Sequence, residues 1–298
     1  MPDHVTQSAS FGQQLLKNGV RQGSVFPASL IDKDLLSAWA EFRSEPELRV
    51  KPIKPTDLLV VTSQDCDIAC GNDSQEPCIE LAVFSSIKPK SRHQGNQFAN
   101  SVRTLQLLIN DQDYEAKARY TVRVRKEGFF NALVGNHEKL FELSVEQCRI
   151  LVLWRANRYQ RAALPDRFND AFFPLVKAAL PNIELLAKDP EDASRSYIRS
   201  LYIYLENMGE EGSCSFSLLA LLRADTPDKV QVDVDDAMDV LCVEMEESSN
   251  YTLSDSDDLA GLAERESTVT VFILGHYVKF NLDYISLREG DPDTGTDV

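Results

Sequence analysis

The sequence predicts an α+β protein: a strand-rich N-terminal unit over residues 1–143, a central helical segment over 144–190, and a small acidic α+β unit over 195–285. Three observations lead there. Short apolar runs of strand length, such as LLVV and CIELAVF, dominate the first half with polar turns between them. Apolar residues at helical spacing take over at Ser144. Beyond the polar stretch KDPEDAS (188–194), strand-like and helix-like runs return together with a marked excess of acid.

Residues 10–19 (SFGQQLLKNG) predict a short helix stopped by Gly19, and 30–42 (LIDKDLLSAWAEF) a second one. Prolines 52 and 55 precede a strand over 57–63, the loop GNDSQEP follows, and a second strand covers 78–87. The basic, glycine-containing stretch 88–100 reads as a mobile loop, with strands resuming over 102–109 and 119–124. Ser144 and Gln147 form a capping box for a helix to about residue 162. After LPD, Asp166 caps a further helix through 179, with Pro181 as its stop. In the last unit, 197–206 and 214–223 predict strands around NMGEEG, 234–247 an acidic helix, and 259–265 a shorter one. The runs 269–274 and 277–282 pair as a hairpin around GH, and 286–298 is a disordered tail with almost no apolar content.

Composition narrows the classes. The 298-residue chain is 43% hydrophobic, and no apolar run approaches the roughly 18–20 residues that span a bilayer. The N-terminus shows no secretory pattern, and six scattered cysteines suit free thiols; both point to the cytoplasm. The net charge of −16 is unevenly placed: residues 1–200 carry 26 bases and 25 acids, residues 201–298 only 5 bases and 22 acids. That last third is unsuited to gripping nucleic acid. It is a solvated surface, or it meets a basic protein partner, or it imitates a phosphate chain.

Chemistry concentrates at SQDCD, where an apolar strand ends in two carboxylates flanking a thiol. If the strand persists, Asp65 and Asp67 share a face, and with Glu80 on the next strand they would hold Mg²⁺ or Mn²⁺. Alternatively Cys66 is a nucleophile, although neighbouring carboxylates oppose thiolate formation. The third option is a turn in which the aspartates cap backbone amides while Cys66 is a buried small hydrophobe. A zinc site from Cys66, Cys70, Cys78 and His93 has only one tight pair and ranks lower. Glu115-x-Lys117 matches the acid-x-lysine pattern of some nucleases, but its setting, DQDYEAKARY, reads as a solvated strand edge. No phosphate-binding glycine loop, H-E-x-x-H or G-x-S-x-G occurs. On the helix from 144, Arg155, Arg158 and Arg161 form a ridge, with Val145, Cys148, Val152, Ala156 and Tyr159 as the expected core stripe. Such arginines clamp phosphates or carboxylates, pair with local acids such as Asp166 and Asp170, or dock the acidic unit. The tyrosines of YIRSLYIYL alternate as strand core would.

LLVVTSQDCDIA with EPCIEL, then ANSVRTLQL, WRANRYQRAALPDRFN and FNLDYIS, resemble the motifs of a group of uncharacterised bacterial hypothetical proteins. Several members of that group sit on mobile or defence-related genomic islands. Cys66, Asp67, Glu80, Arg103, Arg158, Tyr159, Arg161, Pro165, Asp166 and Phe168 fall on the shared pattern, whereas Cys70 and Cys78 do not. The resemblance implies an accessory or antiviral-defence protein with no activity to import. The leading expectation is a polar pocket in which Cys66, Asp67 and Glu80 act on a phosphate- or acyl-containing ligand. Arg103, Arg158, Tyr159 and Arg161 would bind it, with or without a divalent metal. The competing expectation is a non-enzymatic protein that binds a partner, or mimics DNA, through residues 201–298.

Overall fold

Antiparallel strands carry the first of two units, Met1–Ser91 with Arg103–Arg155; the second comprises Arg92–Val102 and Ala156–Val298. The computed structural model describes residues 9–41, 52–72, 74–95, 101–157, 164–192, 195–207, 214–256 and 258–280. Helices and strands are mixed throughout, so the α+β class holds. Among the described residues no helix is long and apolar enough to cross a membrane.

In the first unit, β1 (Ser24–Pro27), β2 (Leu58–Val61), β3 (Cys78–Ser86), β4 (Thr104–Ile109), β5 (Gln112–Arg125) and β6 (Phe141–Glu142) form one sheet. Its order is β4-β5-β3-β2-β1-β6. Both faces are covered, which explains why β2 is apolar at every position. Phe26, Leu59, Val61, Leu81 and Val83 point to one face. There they meet α1 (Phe11–Lys17), α2 (Lys33–Glu41), α3 (Asp65–Ala69) and α4 (Lys126–Leu133) through Leu15, Trp39, Ile68 and Phe129. Val25, Leu58, Val60, Ala82 and Phe84 point to the other face, under α5 (Val145–Asn157). The β4–β5 hairpin turns on Asn110 and Asp111, both with positive φ, as a two-residue type I′ turn requires.

Several expectations change here. The 119–124 strand extends back to Gln112, and β5 lies between β3 and β4, so Glu115 and Lys117 belong to an interior strand, not a solvated edge. The capping box forms: the Ser144 amide donates to Gln147 Oε1 at 3.0 Å and the Gln147 amide to Ser144 Oγ at 3.2 Å. The core stripe of α5 is Gln147, Ile150, Leu151 and Trp154, whereas Val145 is 90% exposed. Five consecutive apolar residues, 150–154, leave the periodicity unable to choose a face, and the sheet chooses it. Nor is the central helical segment a unit of its own. α5 packs in the first unit and α6 (Asp166–Leu186) in the second, because each buries its stripe against a different sheet.

α6 is entered from Pro165, with Asp166 in its first turn and not as its side-chain cap, and it runs through Pro174 and Pro181 instead of stopping at the second. Burial of Phe172, Val176, Leu180 and Ile183 on one face outweighs the lost backbone bonds. The nominal loop is partly tied down, since Arg92 pairs with Glu184 at 3.0 Å and the Gly95 amide donates to it at 2.8 Å. The second sheet contains β7 (Ile198–Leu205), β8 (Cys214–Leu222), β9 (Tyr251–Leu253), β10 (Ala263–Arg265) and β11 (Val278–Lys279). Its order is β10-β8-β7-β11, with β9 also on β8. Helices α6 and α7 (Asp228–Ser248) pack on Leu201, Ile203, Leu205 and Phe216. Tyr202 and Tyr204 are therefore not core; they alternate onto the opposite face, half-buried. Residues 263–265 form a strand where a helix was expected. The expected 269–282 hairpin is replaced by α8 (Val271–Leu274), capped by Thr270 Oγ1, and by β11 pairing with β7. The tail 286–298 lies outside the described residues.

Candidate functional site

The apolar run of β2 ends at Val61, yet the chain stays attached to β3 for two more residues. The Thr62 amide donates to the Glu80 carbonyl at 2.9 Å, and the Glu80 amide donates to Ser63 Oγ at 2.8 Å. The chain then coils. Asp67 and Ile68 amides both donate to the Gln64 carbonyl at 3.0 Å, opening the five-residue α3. Ile68 is driven inward as its anchor, and Asp65 and Asp67 occupy the first turn, where the helix dipole favours acids. Two devices hold the turn. Gly12 of α1 sits so close that an added Cβ would overlap the Ile68 carbonyl oxygen. Lys126, at the start of α4, is fully buried and donates from Nζ to the carbonyls of Asp67 at 2.7 Å and Cys70 at 3.0 Å.

This geometry overturns the strand reading of SQDCD. Asp65 and Asp67 lie in a helix, not a pleat, and two residues there are a little over half a turn apart, so the two do not share a face. Asp65 Oδ1 accepts the Gln22 amide at 2.8 Å, and its Oδ2 lies 3.9 Å from Arg21 Nε. Cys66 is exposed, so it is not the buried small hydrophobe of the turn reading, and its thiol faces Gln64 Oε1 at 3.6 Å and Asp67 Oδ1 at 3.5 Å. Glu80 is engaged elsewhere: it is met by Arg155 Nη2 at 2.6 Å and lies 3.9 Å from Arg123. Arg155 Nη1 also donates to Thr121 Oγ1 at 3.2 Å. Thr62, Glu80 and Arg123 thus form a row across β2, β3 and β5 beneath α5. Thr62 Oγ1 is buried there without a hydrogen-bond partner among the described residues.

Chemically the row is a charge-compensated clamp between helix and sheet. Its guanidinium and carboxylate are already spent on each other. The thiol of Cys66 and the carboxylate of Glu80 share no hydrogen bond or ion pair. Among the described residues no group of three or more His, Cys, Asp or Glu side chains is placed to hold a metal. The trio Asp65, Asp67 and Glu80 is therefore not assembled, and neither is a zinc set from Cys66, Cys70, Cys78 and His93. Arg103 is exposed just before the edge strand β4, and its carbonyl accepts the Ala118 amide at 2.8 Å. Arg158, Tyr159 and Arg161 lie outside the described residues. Lys126 and Thr121 escape sequence reasoning, because a lysine or threonine at an alternating strand's end reads as surface.

The thiols differ sharply. Burial, then Asp65 and Glu142, pushes the Cys148 thiol up from its usual range. Burial, reinforced by Asp239, Glu246 and Asp235, pushes Cys242 up to about 12. At about pH 8, iodoacetamide should alkylate Cys66 in the native protein and leave Cys242 untouched until denaturant is added. Peptide mapping by mass spectrometry reads this directly; equal rates at the two positions would contradict the structure.

Comparison with known proteins returns nothing: no family model, curated protein or solved structure matches the chain.

Proposed function

We propose that this is a non-enzymatic interaction protein whose helix α7 receives a basic, amphipathic segment of a partner protein. The observation that carries the reading is the outward face of α7. Its 21 residues hold eight acids and one base, Lys229, which is paired with Asp233. Asp236, Asp239, Glu244 and Glu247 are exposed, and none has a side-chain partner among the described residues. Spaced three apart within each pair, Asp236–Asp239 and Glu244–Glu247 repel each other along the helix. On the same helix Val232, Val240 and Val243 remain 57%, 57% and 44% exposed.

Helical spacing puts these valines and carboxylates on the same side, opposite the buried Val234, Met238, Leu241 and Met245. An acidic rim around an apolar stripe fits a partner with the inverse arrangement, and binding would relieve the repulsion. Imitation of a nucleic acid would explain the carboxylates but not the valines. The enzyme reading lacks comparable support, because among the described residues the Cys66 thiol has only Gln64 and Asp67 within hydrogen-bond reach. An antiviral-defence setting comes into this proposal only through the resemblance described above, and a cytoplasmic one through the N-terminal pattern and the scattered cysteines.

The test uses the full chain and a labelled 20-residue Leu/Lys amphipathic peptide, read by fluorescence anisotropy. Binding should weaken by roughly tenfold as salt is raised well above physiological strength. It should also weaken when Val232, Val240 and Val243 are all changed to Ser at unchanged charge. Salt-independent affinity, or a triple variant that binds as the parent does, would overturn the reading.

A further inference from the structure

Helices α1 and α4 pack against each other in the first unit, with the Phe11 and Phe130 rings 5.9 Å apart. Both stop at the same place. Gly19 follows α1 and Gly135 follows α4, each with a φ of 82°, the left-handed conformation that ends a helix and turns the chain away. Beside these two ends lies a cleft of about 150 Å³. Because both helices end here, neither supplies a further turn whose side chains would fill it.

The lining is apolar with one polar side chain. Leu15, Val20 and Leu133 are buried, and Phe130 adds a half-buried ring that can meet another aromatic ring edge-on or offset. Val134, 62% exposed, and Gly135 stand at the mouth. Asn18 is the polar member. Its Nδ2 donates to the Gln14 carbonyl at 2.9 Å, which leaves Oδ1 as an acceptor that no described residue uses. Water fills such a place poorly, since a held water needs two to four polar partners. Leaving it empty forfeits the packing contacts of its walls. An apolar cavity of about 150 Å³ accepts a single benzene-sized ring, whereas drug-sized ligands need roughly 300 Å³ or more.

We propose that this cleft binds a monocyclic aromatic molecule carrying one hydroxyl or amino donor, of the phenol class. The ring lies among Leu15, Val20 and Leu133 and against Phe130, and its donor meets Asn18 Oδ1. The volume sets one ring, the lining makes it aromatic, and the unused acceptor calls for the donor. Burial of the ring supplies affinity, and the single polar group fixes orientation and specificity. So few atoms hold the dissociation constant to roughly 0.1–1 mM. The site lies in the first unit and does not involve α7, so either proposal can fail alone.

The test is calorimetric titration of the full chain with phenol and, separately, with toluene, which has the same number of heavy atoms but no donor. One equivalent of each should bind. Asn18→Leu should weaken phenol by about fivefold, the scale of one hydrogen bond, while toluene binds at least as well as before. Damage to the fold would weaken both. Val134→Phe, placed at the exposed mouth where a larger side chain fits without disturbing the core, should occupy the cleft and weaken both by at least about tenfold. Circular dichroism checks folding; if Asn18→Leu does not fold, the stoichiometry and Val134→Phe decide. No saturable phenol binding up to about 10 mM, or a phenol affinity that either folded variant leaves unchanged, would overturn the site.

Discussion

Phe168→Ala is expected to lower the melting temperature of the full chain by roughly 10 °C, the largest single effect among these predictions. Phe168 is fully buried on α6. Its ring lies 5.2 Å from Phe172, 5.1 Å from Tyr251 at right angles, and 6.3 Å from Phe216. One side chain thereby joins α6 to β8 and β9. Truncation removes the transfer energy of the ring and leaves a cavity that three other rings cannot collapse into, costing about 3–5 kcal/mol. Phe168→Leu, which refills most of the volume, should recover much of that loss. Calorimetry of the three proteins checks it. An Ala variant melting with the parent would mean that the second unit's core is not organised around this residue. The outcome also bears on the shared pattern: a Phe placed there for packing needs no ligand to explain it.

Lys126→Met should cost about 2–3 kcal/mol, a smaller effect but one centred on the SQDCD turn. Two contributions oppose each other. Removing a buried ammonium relieves its desolvation, which favours Met. It also strips the half-buried carbonyls of Asp67 and Cys70 of their donor, and two acceptors left unsatisfied outweigh the relief. Methionine keeps the stem volume, so the packing change is small. Urea denaturation gives the stability, and amide exchange at residues 65–70 should quicken more than elsewhere. An unchanged midpoint with unchanged exchange would show that Gly12 and Ile68 hold α3 without the lysine.

The site residues illustrate where sequence reasoning reaches its limit. SQDCD stands out because charges end an apolar run, and that signal is local. Its outcome depends on Lys126, which lies 59 residues away from Asp67, and on Gly12 of another helix. Glu80 and Arg155, 75 residues apart, each stood out individually as polar residues worth explaining. Only the crossing of α5 over the sheet makes them partners. The Glu115-x-Lys117 pattern was visible but lacked context, since its setting reads as hydrophilic until β3 and β4 close on either side.

What the sequence alone determined is the α+β class, the capping box at Ser144, most strand cores and the concentration of acid in the last third. These depend on periodicity, short-range hydrogen bonds and composition, each contained within a few residues. What only the tertiary structure decided is which face of α5 is buried, how the two helices divide between sheets, and why α6 passes its prolines. It likewise turned 263–265 into a strand and paired β11 with β7 instead of with its neighbour. Those choices depend on burial against distant elements, where the free energy of packing exceeds the propensity differences a sequence reveals.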